Sequence, residues 1–231
     1  MSKPANDVSR FFEKSDLTPE KVSQMIKDGL VGTDFGELYQ EIVASESIVM
    51  DKGQLKLSVG NLSSGFSFRA GQEDRVGFSY GEEFNESVLK GAIAASRKVL
   101  DGTQGKQHFE SKRVPQLLFP SDNPLETMDV LQKINKIQEI EAYARSLDDK
   151  IQNVTVQYVA RHQAVHVMTS EGESMVDDRP IITLVISIAR EGKDGQIQVG
   201  KAMLGGRMLT KELLTSNDYQ QAAKDALEQA K

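Results

Sequence analysis

Cysteine is absent from this chain, which removes disulfides, thiolate zinc sites and a cysteine nucleophile from consideration. No uninterrupted apolar stretch approaches the ~20 residues a membrane-spanning helix needs, so no membrane association is expected. The opening residues MSKPANDVSRFFEKSD lack the apolar run of a secretory signal, making the cytoplasm the expected location. Positive charge is in deficit, 28 Lys and Arg against 34 Asp and Glu. The net charge of −6 has the wrong sign for a general nucleic-acid binder. What is present is ordinary: 39% hydrophobic and 27% charged residues, too apolar for a disordered chain. A compact chain of 231 residues buries roughly 70% of its unfolded surface, and one large domain or two small ones fit the length.

Residues 1–16 are polar and unpatterned and read as a flexible N-terminus. Thr18-Pro19-Glu20 then gives an N-cap with proline at the first helical position. Val22, Met25 and Ile26, with a stop at Gly29, predict a short amphipathic helix closed by a glycine C-cap. From Glu37 to Tyr80 the period falls to two. Leu38, Gln40, Ile42 and Ser47–Met50 mark a strand, Asp51-Lys52-Gly53 a turn, and Leu55, Leu57 and Val59 alternate with Lys56 and Ser58. Asn61 and Gly65 flank a further reversal, and residues 65–70 and 75–80 form two more strands around Gly71–Asp74. Connections this short require antiparallel pairing. Helical spacing returns over Asn85–Leu100, followed by an irregular, proline-containing loop over 101–126 that suits a functional or domain-joining segment.

The clearest helix carries an apolar stripe of Val130, Leu131, Ile134, Ile137, Ile140, Ala144 and Leu147, from which Lys133, Lys136, Glu139 and Arg145 fall away. A second β-rich block comprises Val154–Val159, Ala164–Met168 and the nearly continuous apolar run Ile181–Ala189, with Asp194-Gly195 as a hairpin signal before Gln196–Val199. A last amphipathic stripe from Tyr219 to Ala230 runs to Lys231 without glycine or proline, and further polypeptide is expected beyond it. Each half thus runs helix, antiparallel strands, helix. The expected fold is α+β, an antiparallel sheet with helices packed on one side. It occupies 17–231, with halves 17–100 and 127–231 joined by loop 101–126.

The chemistry-bearing motifs are sparse. His162 and His166 would stack on a helix, but on the strand their surroundings predict, four residues span about 13 Å, too far for two imidazoles to chelate one ion. Glu171, Glu173, Asp177 and Asp178 lack the spacing of a calcium loop and fit a solvated hairpin. In Asp177-Asp178-Arg179-Pro180, the proline fits the first residue of a strand, and Arg179 serves either an ion pair or a fork for a peptide carboxylate or carbonyl. Gly205-Gly206-Arg207 is either a structural turn or a place of close backbone approach. No phosphate loop or Gly-x-Ser-x-Gly elbow is present. No catalytic or metal-binding residue is assigned; Arg179, Gly205, Gly206 and Arg207 are the candidate substrate or partner contacts.

Taken in order, Asp34-x-x-Glu37-Leu38-Tyr39, Glu46, the hairpin after Asp51, Gly65–Ala70 and Gly77-Phe78-Ser79-Tyr80 resemble the N-terminal region of the TldD/PmbA metallopeptidase family, the modulator of DNA gyrase family. The helix over Asn85–Leu100, Asp178-Arg179-Pro180 and Gly205-Gly206-Arg207 continue the resemblance, which is closer to TldD than to its PmbA sister. It implies a cytoplasmic protein that takes part in cleaving unfolded peptides, together with a C-terminal catalytic domain or a sister subunit. The family's zinc-binding HExxxH motif and later cysteine ligand are not in this sequence. No cofactor is therefore expected in this chain, zinc belonging to the complete family enzyme, and the chain alone is expected to be inactive. The expected function is that of a substrate-admitting, subunit-pairing N-terminal domain. The alternative is a stand-alone, non-catalytic peptide- or protein-binding module.

Overall fold

A computed structural model describes residues 7–98, 100 and 122–231. Of the loop read over 101–126, residues 101–121 lie outside the described residues, and the remainder carries a short 3-10 turn, Pro124–Glu126. In chain order the elements are α1 (Pro19–Gly29), β1 (Phe35–Asp51), β2 (Gln54–Gln72), β3 (Arg75–Gly81), α2 (Glu86–Lys98), α3 (Val130–Arg145), β4 (Ile151–Thr169), β5 (Ser174–Glu191), β6 (Ile197–Gly206), α4 (Thr210–Thr215) and α5 (Asp218–Gln229). The six strands form one sheet in the order β3-β2-β1-β4-β5-β6, and helices line one side, as the α+β reading requires. Three strands followed by a helix occur twice, so the repeated order noted in the sequence is present in the elements.

Two compact units divide the chain, and each draws on segments from both of the stretches 17–100 and 127–231. One gathers the described residues within Met1–Val43, Ser63–Leu118 and Gln163–Asp178; the other those within Ala44–Leu62, Phe119–His162 and Arg179–Lys231. In the first, Val22 and Ile26 of α1 and Leu89 and Ile93 of α2 pack with Leu38, Phe66 and Phe68 from the strands. Thr18 caps α1 as expected, its hydroxyl accepting the Lys21 N–H. Gly29, however, is the last helical residue rather than a left-handed cap. A Cβ there would lie 2.4 Å from an Ile93 methyl, so this glycine admits α2, and the positive φ comes at Gly32. Arg97 of α2 closes the end of α1 by donating to the carbonyls of Gly29 and Val31.

Of the flexible start read over 1–16, residues 1–6 lie outside the described residues, and residues 8–16 carry packed structure. Val8–Phe11 forms a 3-10 turn capped by Asp7, and Phe11 and Phe12 are buried. Burying two adjacent aromatic rings stabilises the segment by a few kcal/mol, on the order of 2 per ring, without needing any periodic pattern.

In the second unit, Ile137, Ile140 and Ala144 of α3 and Ala222, Ala223 and Ala226 of α5 pack on Val154, Val156, Tyr158 and the even-numbered run Ile182–Ile188. The buried face of α3 differs from the stripe read in sequence: Lys133 and Glu141 lie inside it, whereas Val130 and Leu131 are exposed. Lys133 can be buried because its Nζ donates to the Glu46 carboxylate at 2.5 Å and to the Leu125 carbonyl at 2.8 Å. Glu141 accepts the Gly53 N–H at 3.0 Å and is paired with Arg145. It thereby holds the Lys52-Gly53 turn, whose two positive φ angles, 52° and 69°, are those of a tight two-residue hairpin. The reversal read between Asn61 and Gly65 does not occur, because β2 continues unbroken to Gln72.

Candidate functional site

The hairpin signal Asp194-Gly195 folds as read, with Gly195 at φ 78°, and it sets β6 against β5 with Ile188 opposite Gly200 and Ile182 opposite Gly206. Pro180 is not the first residue of its strand; β5 begins at Ser174. The register explains why a proline is tolerated inside it. β6 ends opposite Ile182, so at Pro180 strand β5 has no β6 neighbour to receive an amide. Arg179 thus lies on β5 past the end of β6, where the chain continues from Gly205-Gly206 to Arg207. Gly205 and Gly206 close the paired stretch opposite Thr183 and Ile182, and Arg179 lies three residues beyond it on β5.

Gly205 is required there. Its φ is 141°, and a Cβ would meet the Ile182 carbonyl oxygen at 2.1 Å. Arg207 is exposed and Arg179 half-buried, and each interacts with neighbouring residues. On β6 the helix-covered face is marked by Gly200, where a Cβ would lie 1.9 Å from the Ala226 carbonyl of α5. The other face carries Ile197, Val199 and Met203, all exposed, Met203 to 70%. Nothing in the sequence reading identified this apolar row. Its signal was the alternation Val199-x-Lys201-x-Met203, which extends the strand beyond Val199, where the reading stopped. Alternating apolar side chains on a strand face suit the alternate side chains of an extended peptide.

The histidine pair lies on β4, as the strand reading requires. His166 is fully buried between Phe11 and Phe12, with ring centroids at 5.3 and 5.9 Å. Its Nδ1 donates to the Gln40 side-chain oxygen and its Nε2 accepts from the Ser174 hydroxyl, both at 2.8 Å, so neither nitrogen is left for a metal. Among the described residues, no group of three or more His, Asp or Glu is placed to hold a metal ion. The donor set a peptidase zinc needs is thus not met by these residues, and no catalytic step can be derived through them. Asp178 is buried and meets Arg10 at 2.9 Å in the first unit.

Burial, and secondarily the nearby Arg10, pushes the His166 pKa down from 6.5 to about 4. A folded pKa below the unfolded one means that the unfolded chain binds the extra proton. Stability is therefore full above pH 6.5 and falls as the pH drops towards 4, by about 3 kcal/mol for a shift of this size. Urea titrations at pH 7 and pH 4.5 should show that loss. His166→Asn should lower stability at pH 7 and flatten the pH dependence.

The fold is that of a known architecture. A Thermotoga maritima protein described as a candidate modulator of DNA gyrase superposes with a TM-score of 0.73 at 12% identity, over 92% of this chain and 48% of its own. A Bacteroides thetaiotaomicron protein of the same description gives 0.71 at 14%, over 91% and 49%. TldE from Thermococcus kodakarensis gives 0.65 at 14%, over 89% and 46%. The sequence carries the family itself: residues 36–100 match PmbA/TldA metallopeptidase domain 1, and residues 123–231 match the PmbA/TldA metallopeptidase central domain. This chain belongs to the PmbA/TldD metallopeptidase family. It is 26% identical to the metalloprotease TldD homolog of Haemophilus influenzae over 75% of its own length and 36% of the relative's. The TldD homolog of Buchnera aphidicola from Schizaphis graminum is 22% identical over 80% and 38%. The chain thus spans little more than a third of these curated relatives. No helix among the described residues is long and apolar enough to cross a membrane.

Proposed function

We propose that this chain is the substrate-admitting and subunit-pairing portion of a TldD-like metallopeptidase acting on unfolded peptides in the cytoplasm, with zinc and its ligands supplied by a catalytic domain or a sister subunit. The observation that carries the reading is the match to domain 1 and the central domain of the family in a chain that has no HExxxH motif. Admission is assigned to the exposed face of β6 and the residues past its end. An extended peptide laid along Ile197, Val199 and Met203 gains apolar contact with alternate side chains, while Arg179 and Arg207 engage its carbonyls or terminal carboxylate. Backbone-directed recognition of this kind is tolerant of sequence, as a peptidase for unfolded chains requires.

An unfolded peptide bearing a photo-reactive residue should crosslink within Arg179–Arg207. Adducts elsewhere and none in this segment would reject the admission role. The purified chain alone should leave unfolded casein intact, and chelator-sensitive cleavage by it would reject the division of labour.

A further inference from the structure

Phe11, Phe12, Phe66 and Phe68 bury their rings in the first unit, but β3 presents a row that does not: Val76, Phe78 and Tyr80 are 51%, 60% and 80% exposed. The alternation of the strand explains the split. Gly77 and Ser79 face α2, where a Cβ at Gly77 would meet the Ser96 carbonyl and the Ser79 hydroxyl donates to the Ala92 carbonyl at 2.8 Å. The even-numbered residues therefore point from the other face of the sheet. There β2 offers them little cover, setting Gly71, Arg69 and Ser67 opposite Val76, Phe78 and Tyr80. Arg69 is turned to Glu37, at 3.3 Å, and to the Phe35 ring. All of these residues belong to the first unit.

β3 is also the last strand of the sheet, and among the described residues no strand pairs with its outer side. Gln72 and Arg75 face each other across a two-residue turn, which makes them the first hydrogen-bonded pair of this hairpin. Such pairs recur at Gly77, Ser79 and Gly81, so the N–H and C=O groups of Val76, Phe78 and Tyr80 point outward. The residues with exposed side chains are thus the ones with outward-facing backbone. Proline and lysine, the usual guards of an open edge, are missing from the strand. The charge around it has one dominant sign: Glu73 and Asp74 precede it and Glu82 and Glu83 follow it, all exposed, against the guanidinium of Arg75.

We infer that the outer edge of β3 docks an extended segment of another protein that carries lysine or arginine at alternate positions. Laid antiparallel, such a segment exchanges two backbone hydrogen bonds at each of Val76, Phe78 and Tyr80. Its side chains opposite them emerge on the same face ~6.6 Å apart, the spacing of alternate residues in a strand. The Phe78 and Tyr80 rings lie 6.4 Å apart, so each cation meets a ring, and cations beyond the row meet the carboxylates at either end. The same carboxylates repel acidic segments and nucleic acid, whose stacking bases would otherwise suit the rings. A purely apolar segment would use the rings and leave the charges unanswered. The inference goes beyond the proposed function, because a segment on β3 is held by the first unit, whereas admission is assigned to β6 of the second.

A fluorescent peptide as long as β3, lysine alternating with threonine, should gain anisotropy when the full chain is added. A peptide with glutamate in place of lysine should bind about ten-fold more weakly or worse. Phe78→Ser combined with Tyr80→Ser should weaken the lysine peptide by about ten-fold with an unchanged far-UV spectrum, since both positions are exposed. Glu82→Lys with Glu83→Lys should weaken it as well, and more at low salt than at high. Hydrogen exchange locates the contact: the amides of Val76, Phe78 and Tyr80 should slow when the lysine peptide is added. Equal binding of the two peptides, indifference to the ring or charge substitutions, or slowing along Ile197–Met203 in place of β3 would overturn the inference. So would a single-stranded oligonucleotide that displaces the lysine peptide from the chain. None of these measurements involves peptide cleavage or zinc, so their failure is separable from failure of the peptidase reading.

Discussion

Replacing Lys133 with methionine is expected to destabilise the protein by about 3–5 kcal/mol, the usual cost of leaving one partner of a buried ion pair without the other. Lys133 is 2% exposed, and its ammonium is held by Glu46 and the Leu125 carbonyl. Methionine matches its stem in volume, so the loss comes from the stranded Glu46 carboxylate and the unmet carbonyl rather than from a cavity. A fall in melting temperature of roughly 10 °C should be read by calorimetry. Adding Glu46→Gln removes the stranded charge and should recover part of the loss. A double variant as unstable as Lys133→Met alone would show that the charge is not the cause.

Gly200→Val is expected to be as damaging, on the order of 3 kcal/mol or more, because the obstruction is backbone. A Cβ at this position sits 1.9 Å from the Ala226 carbonyl and 2.9 Å from the Ala230 amide, so α5 must lift from β6 to admit any side chain. Gly77 of β3 meets the same condition in the first unit, with the Ser96 carbonyl of α2 at 1.8 Å. Gly91, whose Cβ would enter open space on the exposed side of α2, supplies the contrast. Gly91→Ala should be neutral or stabilising by up to about 1 kcal/mol through helix propensity. Denaturant melts of the two variants check the ranking, and a Gly200→Val protein as stable as wild type would refute the close approach.

Much of this architecture could be read from the chain because its local signals agree with its tertiary demands. The alternation Leu55, Leu57, Val59, the turn chemistry of Lys52-Gly53 and Asp194-Gly195, and the Thr18-Pro19 start each specify an element without help from distant residues. What escaped the reading depends on partners far along the chain. Lys133 looks solvent-facing until Glu46, 87 residues away, is placed beside it. Phe11 and Phe12 carry no period and owe their order to His166 and Phe84. The reach of β6 was only half legible: the hairpin signal implies its pairing with β5, but the strand was read as ending at Val199, not Gly206. Which glycines serve turns and which admit helices also could not be told from sequence, since both uses show the same letter.

The carboxylate of Glu141 grips the tip of the β1–β2 hairpin through the Gly53 amide. A strand so pinned at its end cannot creep by a residue along its neighbour, and a slip of one would swap every inward side chain for an outward one. The outer margin of β2 therefore keeps its marks in place, like those on a ruler.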